Sequence, residues 1–113
     1  MKKICFDLDG VICTTINADY RKSQPKKEII NLINKLYKKY YILIFTARYM
    51  GRSKENVKLA KKKGYKFTLK QLQDWNLKFH ELKFGKPSYD IIVDDKSFDF
   101  KKNWHKKFKK IIK

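Results

Sequence analysis

The chain has 113 residues, 42% of them hydrophobic and 15% aromatic, which suits one modest globular core and excludes a disordered polymer. Its formal net charge of +18 comes from 29 basic against 11 acidic residues, and only Arg21, Arg48 and Arg52 are arginines. No stretch approaches the ~18–20 apolar residues of a membrane span, and Asp7 and Asp9 break the only apolar run near the N-terminus, so neither a spanning segment nor a signal-peptide core is expected.

Residues 3–8 read as a buried strand that ends on Asp7-Leu8-Asp9-Gly10. Residues 10–24 read as a polar loop. Pro25 can occupy the first turn of a helix reaching about residue 39, with Ile29, Ile30, Leu32, Ile33, Leu36 and Tyr37 on its inner face. Tyr41 to Phe45 show no alternation, which predicts a strand covered on both faces, closed by Thr46-Ala47-Arg48. A loop over 49–52 leads to Ser53 as a helix cap, and the helix stops at Gly64. Residues 65–67 read as a short strand, and Thr68 and Gln71 as a capping box for a short helix. Residues 78–84 and 89–93 read as further strands, the latter ending on Asp94-Asp95. A final helix begins near Asp99, with Phe100, Trp104, Phe108 and Ile111 on one face.

Strand–helix–strand repeats of this length predict an α/β fold: a three-layer α/β/α sandwich around a Rossmann-like, mostly parallel sheet, as a single domain over residues 1–113. Cys5 and Cys13 lack metal-ligand spacing and are expected as free, inert thiols in a reducing, cytoplasmic setting. The scattered lysines read first as a solvated surface, then as attraction for an anionic substrate, and last as specific nucleic-acid binding. No zinc-finger, helix-turn-helix or aromatic–basic motif supports the last.

The chemistry concentrates at predicted strand ends. Asp7 and Asp9 follow the first strand, Thr46 closes the second and Asp94 and Asp95 close the last. Parallel packing would bring up to four carboxylates together, a crowding that a divalent ion relieves; oxygen-only ligands favour magnesium. Each pair also has a plain alternative, since Asp-Gly is a turn signal and Asp94-Asp95 can cap a segment. With a sharp turn after Leu8, one aspartate can attack phosphorus while the other exchanges a proton with the leaving oxygen.

In order along the chain stand Asp7-Leu8-Asp9-Gly10-Val11, Ile42-Leu43-Ile44-Phe45-Thr46, Lys86-Pro87 and Ile91-Ile92-Val93-Asp94-Asp95. This ordered set resembles the four motifs of the haloacid dehalogenase superfamily. The resemblance implies a magnesium-dependent phosphatase acting through an aspartyl phosphate. Asp7 would be the nucleophile and Asp9 the general acid, then base. Thr46 and Ala47 would hold the phosphoryl oxygens, and Lys86 would pair with Asp7 and the phosphate. Asp7, Asp9, Asp94 and Asp95 would ligate Mg2+. The short spacing between motifs leaves no room for a cap domain, which makes a homo-oligomer worth testing. The local segments Thr-Ala-Arg, Gln-Leu-x-x-Trp and His-Glu-Leu-x-x-Gly-Lys-Pro are similar to small bacterial proteins linked to capsule or polysaccharide synthesis, implying a phosphorylated sugar or sugar acid as substrate. The alternatives are a phosphatase for nucleic-acid 3′ or 5′ ends and a non-enzymatic binding module. Arg48, Arg52, Ser53 and His80 are the candidates for substrate specificity, each with a structural alternative.

Overall fold

The protein is described from a computed structural model covering residues 1–112. Its centre is a three-stranded parallel sheet of order β1 (Lys3–Phe6), β4 (Tyr41–Thr46), β5 (Glu81–Phe84). Helix α1 (Lys27–Leu36) makes the β1-to-β4 crossover and α2 (Val57–Asp74) the β4-to-β5 crossover. Both crossovers step the same way across the sheet, so a common right-handed sense sets both helices on one face. A two-stranded antiparallel ribbon, β2 (Cys13–Thr14) with β3 (Gln24–Pro25), and α3 (Trp104–Ile111) complete the elements.

Register explains which face carries the core. Ile4 pairs with Ile42, Phe6 with Ile44, Ile44 with Leu82 and Thr46 with Phe84. Side chains of paired residues in a parallel ladder point the same way, so these form one apolar face. Ile42, Ile44, Leu82 and Phe84 are buried there, together with Ile29, Ile33, Ala60 and Leu72 of the helices. The other face carries Tyr41, Leu43, Phe45, Glu81 and Lys83. The Tyr41 hydroxyl donates to Glu81 Oε1 at 3.1 Å, and the Lys83 ammonium lies 5.7 Å from the Phe45 ring centre. That face is half-buried to exposed, so β4 alternates and is not covered on both sides as its apolar run predicts.

Four further expectations need correction. Pro25 lies in β3, and α1 starts two residues later. Gly64 does not stop a helix: α2 runs unbroken from Val57 to Asp74, absorbing the predicted 65–67 strand and the 68–75 helix. Its cap is Asn56, whose side chain accepts from the Leu59 N–H at 3.1 Å, in place of Ser53. Gly64 is required because the Tyr49 ring lies where a β-carbon would project. Residues 89–93 form no strand: Ile91, Ile92 and Val93 are exposed, and the outer edge of β1 has no strand partner among the described residues. The final helix starts at Trp104, where Phe6, Phe98, Trp104 and Phe108 make a cluster of edge-to-face rings.

Candidate functional site

After β1 the backbone turns tightly. The Leu8 carbonyl accepts from the N–H groups of Val11 (3.2 Å) and Ile12 (2.9 Å), and Gly10 N–H donates to the Cys13 carbonyl at 2.8 Å. Gly10 has φ +91°, a left-handed backbone that suits glycine. Leu8 is driven into the core, and the flanking Asp7 and Asp9 are left lining one open cleft of about 390 Å³. Ala47 and Arg48 from the end of β4, and Lys86 and Tyr89 from beyond β5, line the same cleft.

Asp7 and Lys86 form one half of the site. Asp7 Oδ1 accepts the Leu8 N–H at 2.8 Å, and Lys86 Nζ stands 3.3 Å from Asp7 Oδ2. Lys86 is delivered there by its own N–H, which donates to the Thr46 carbonyl at 3.2 Å. Gly85 before it has φ +105° and packs against Val57. Burial pushes the Asp7 carboxyl above its usual range. Lys86 and the Leu8 N–H pull it back, without cancelling the burial. Burial opposes the charge on Lys86, but hydrogen bonding to Tyr89 and the field of Asp7 leave its ammonium held above the ordinary lysine value.

Asp9 and Arg48 form the other half. Arg48 Nε donates to Asp9 Oδ2 and Nη2 to Asp9 Oδ1, both at 2.9 Å, a two-pronged pair. The Arg48 side chain is fully buried. Its remaining N–H groups are all used: Nη1 reaches Gln71 Oε1 (2.7 Å) and Thr68 Oγ1 (3.5 Å), and Nη2 also reaches Ser23 Oγ (3.3 Å). Gln71 is itself fixed by donating to the Tyr20 carbonyl at 2.7 Å, and the Tyr20 ring lies 4.6 Å from the guanidinium. Thr15 donates to Asp9 Oδ1 at 2.6 Å, so the 2.6 Å contact between Thr15 and Ser23 has Ser23 as donor. The buried thiol of Cys13, 3.4 Å from Asp9 Oδ1, is pushed up to about 11 by burial and by that carboxylate.

The structure brings Asp7, Asp9, Ala47, Arg48 and Lys86 to one place and leaves other candidates out of it. Thr46 is wholly buried, and its hydroxyl accepts the Arg48 N–H at 3.1 Å; its side chain does not line the cleft. Arg48 has no donor left for a substrate, which corrects its expected role. Arg52 stacks over Tyr20 and Tyr49 and donates to the Ala18 carbonyl at 2.6 Å, so it braces the cleft wall. Ser53 is buried with no partner for its hydroxyl. His80 lies at the start of β4, about 13 Å along the strand from Thr46. Its Nδ1 accepts the Ile42 N–H at 2.9 Å, and its ring is sandwiched between Tyr37 and Tyr41.

Asp94 and Asp95 are exposed on a turn in which Asp94 Oδ1 accepts the Lys96 N–H at 2.9 Å, which is the main reason its carboxyl sits low. They do not join the cleft. Among the described residues no group of three or more acidic, histidine or cysteine side chains is close enough to hold a metal ion. The carboxylate crowding that argues for magnesium therefore does not arise: Asp7 and Asp9 each have a cationic partner already. As placed, these residues do not fit a magnesium site.

Thr15, Ser23, Thr68 and Gln71 are the members of the site that sequence reasoning misses. The spacing of Thr68 and Gln71 sets both on one helix face, but it reads equally as a cap.

A second concavity, of about 460 Å³ between Tyr37, Leu77 and Phe79, holds no carboxylate.

No family model matches the chain. Across 99% of its length it resembles the crystal structure of a target protein from Vibrio cholerae, all of which is covered, with a TM-score of 0.80 and 24% identity. At that identity the likeness speaks for the fold alone. Over 63 residues it is 33% identical to a bifunctional riboflavin kinase/FMN adenylyltransferase of Buchnera aphidicola. That match takes in 55% of this chain, which spans only about 20% of that relative's length.

Proposed function

We propose that the chain is a phosphoric monoester hydrolase of the haloacid dehalogenase kind, with Asp7 as its nucleophile. One observation carries this: two carboxylates one residue apart project from a single turn into one cleft, and each has its own cation. Ion pairs differ in consequence. Lys86 leaves Asp7 partly open and supplies a movable positive charge for phosphoryl oxygens, whereas Arg48 is spent entirely on holding its partner and the surrounding side chains.

In the proposed reaction an Asp7 oxygen attacks phosphorus, and the bond to the leaving oxygen breaks. Water then attacks phosphorus, and its proton passes to Asp9. The Asp7–phosphorus bond breaks with its electron pair returning to the carboxylate. Magnesium enters only through the resemblance, and Asp94 and Asp95 would have to reach the cleft to hold it; no step here passes through a metal.

The test is hydrolysis of p-nitrophenyl phosphate by the wild type and by Asp7→Asn, with and without chelator. Loss of a thousandfold or more in the variant, on the order seen when a catalytic nucleophile is removed, is expected. Full activity in Asp7→Asn removes the proposal. Activity that survives chelation removes only the magnesium expectation.

A further inference from the structure

Asp9 sits where a proton would have to be given to a leaving group, yet its surroundings are built for the carboxylate. All its contacts come from donors: Arg48 Nε on Oδ2, and Arg48 Nη2, Thr15 Oγ1 and Cys13 Sγ on Oδ1. Arg48 is buried, and Asp9 is the carboxylate it pairs with among the described residues. A proton on Asp9 would cancel the countercharge of a buried guanidinium, the costly half-broken pair of a protein interior. Nor can Arg48 swing away cheaply, because Gln71, Thr68, Ser23 and the Tyr20 ring hold it from the other side.

Resting on the phosphatase reading, we infer that Arg48 is a positioning residue that keeps Asp9 a base and not an acid, so that the substrate is a phosphate whose leaving oxygen departs as a stabilised anion: an acyl, enol or aryl phosphate. Asp7 forms its bond to phosphorus while the leaving oxygen takes the bonding pair and no proton from Asp9. In the second half, Asp9 Oδ2, which has a single donor, receives the proton of the attacking water and later releases it to solvent. A phosphate on an ordinary sugar hydroxyl, whose alkoxide is a poor leaving group, turns over slowly.

The experiment measures kcat/KM of the wild-type chain on aryl phosphates graded by phenol acidity, with acetyl phosphate and glucose 6-phosphate at the extremes. The expected result is a fall of about tenfold per unit of leaving-group pKa, the slope of a departure without proton transfer. A fall of about twofold or less per unit, or fast turnover of glucose 6-phosphate, overturns the inference. Arg48→Gln should flatten the slope, because Asp9 is then free to carry a proton; a parallel drop for every substrate would mark Arg48 as structural only and overturn it as well. Arg48→Lys, which keeps the charge, should retain the steep slope and serves if the glutamine variant fails to fold. Phosphatase activity that is indifferent to Asp7→Asn sinks the parent reading, whereas Asp7-dependent activity with a shallow slope sinks this inference alone.

Discussion

Asp7 must be ionised to attack, and burial makes ionisation harder while Lys86 makes it easier. The acid limb of the kcat/KM profile should therefore lie above the ordinary carboxylate range. Replacing Lys86 with Met should move that limb to still higher pH and lower the plateau, as read by pH–rate profiles of the two proteins. A limb moving to lower pH would contradict the pairing. The two thiols offer a second check at the same scale. Cys5 is exposed, whereas Cys13 is buried and held at about 11. Iodoacetamide at neutral pH should modify Cys5 and spare Cys13 in the folded chain, as mass spectrometry of the labelled peptides would show.

Among the elements, α2 does the most to shape the site, because one helix carries both Thr68 and Gln71 to Arg48. Its passage through Gly64 depends on the Tyr49 ring, which is itself packed on Tyr20 at 4.9 Å and on Arg52 at 4.8 Å. Gly64→Ala should thus destabilise the protein by about 1–3 kcal/mol in urea denaturation, although alanine is the better helix former by about 1 kcal/mol. Stabilisation by that substitution would show that Tyr49 yields freely. Between β5 and α3 the chain from Lys86 to Asn103 has no regular element, and Ile91 to Val93 are exposed. Limited proteolysis should cut first within 89–97, leaving the sheet with α1 and α2 as the resistant fragment, because few buried contacts oppose local opening there.

At the level of the whole molecule, the +18 charge surrounds a cleft whose two inner cations are both paired with carboxylates. Long-range attraction of an anionic substrate then falls to the surface lysines, and it is screened beyond ~8 Å at physiological salt. The kcat/KM for any phosphate should fall severalfold between low and high ionic strength, while kcat changes little. Sequence periodicity is enough to read β1, α1 and β4, where apolar spacing and burial demand agree. It also singles out Asp7, Asp9 and Lys86. It misleads at Gly64, where a stop signal is overridden by a ring from elsewhere in the chain, and at residues 89–93, where apolar character suggests a strand but no neighbouring edge pairs with it. The sequence alone determined that two carboxylates would stand together after the first strand, because covalent spacing and a glycine turn suffice for that. Only the tertiary structure decided their partners: Lys86 for Asp7, the buried Arg48 for Asp9, and none of the four for Asp94 and Asp95, since those distances are set by packing between elements remote in sequence.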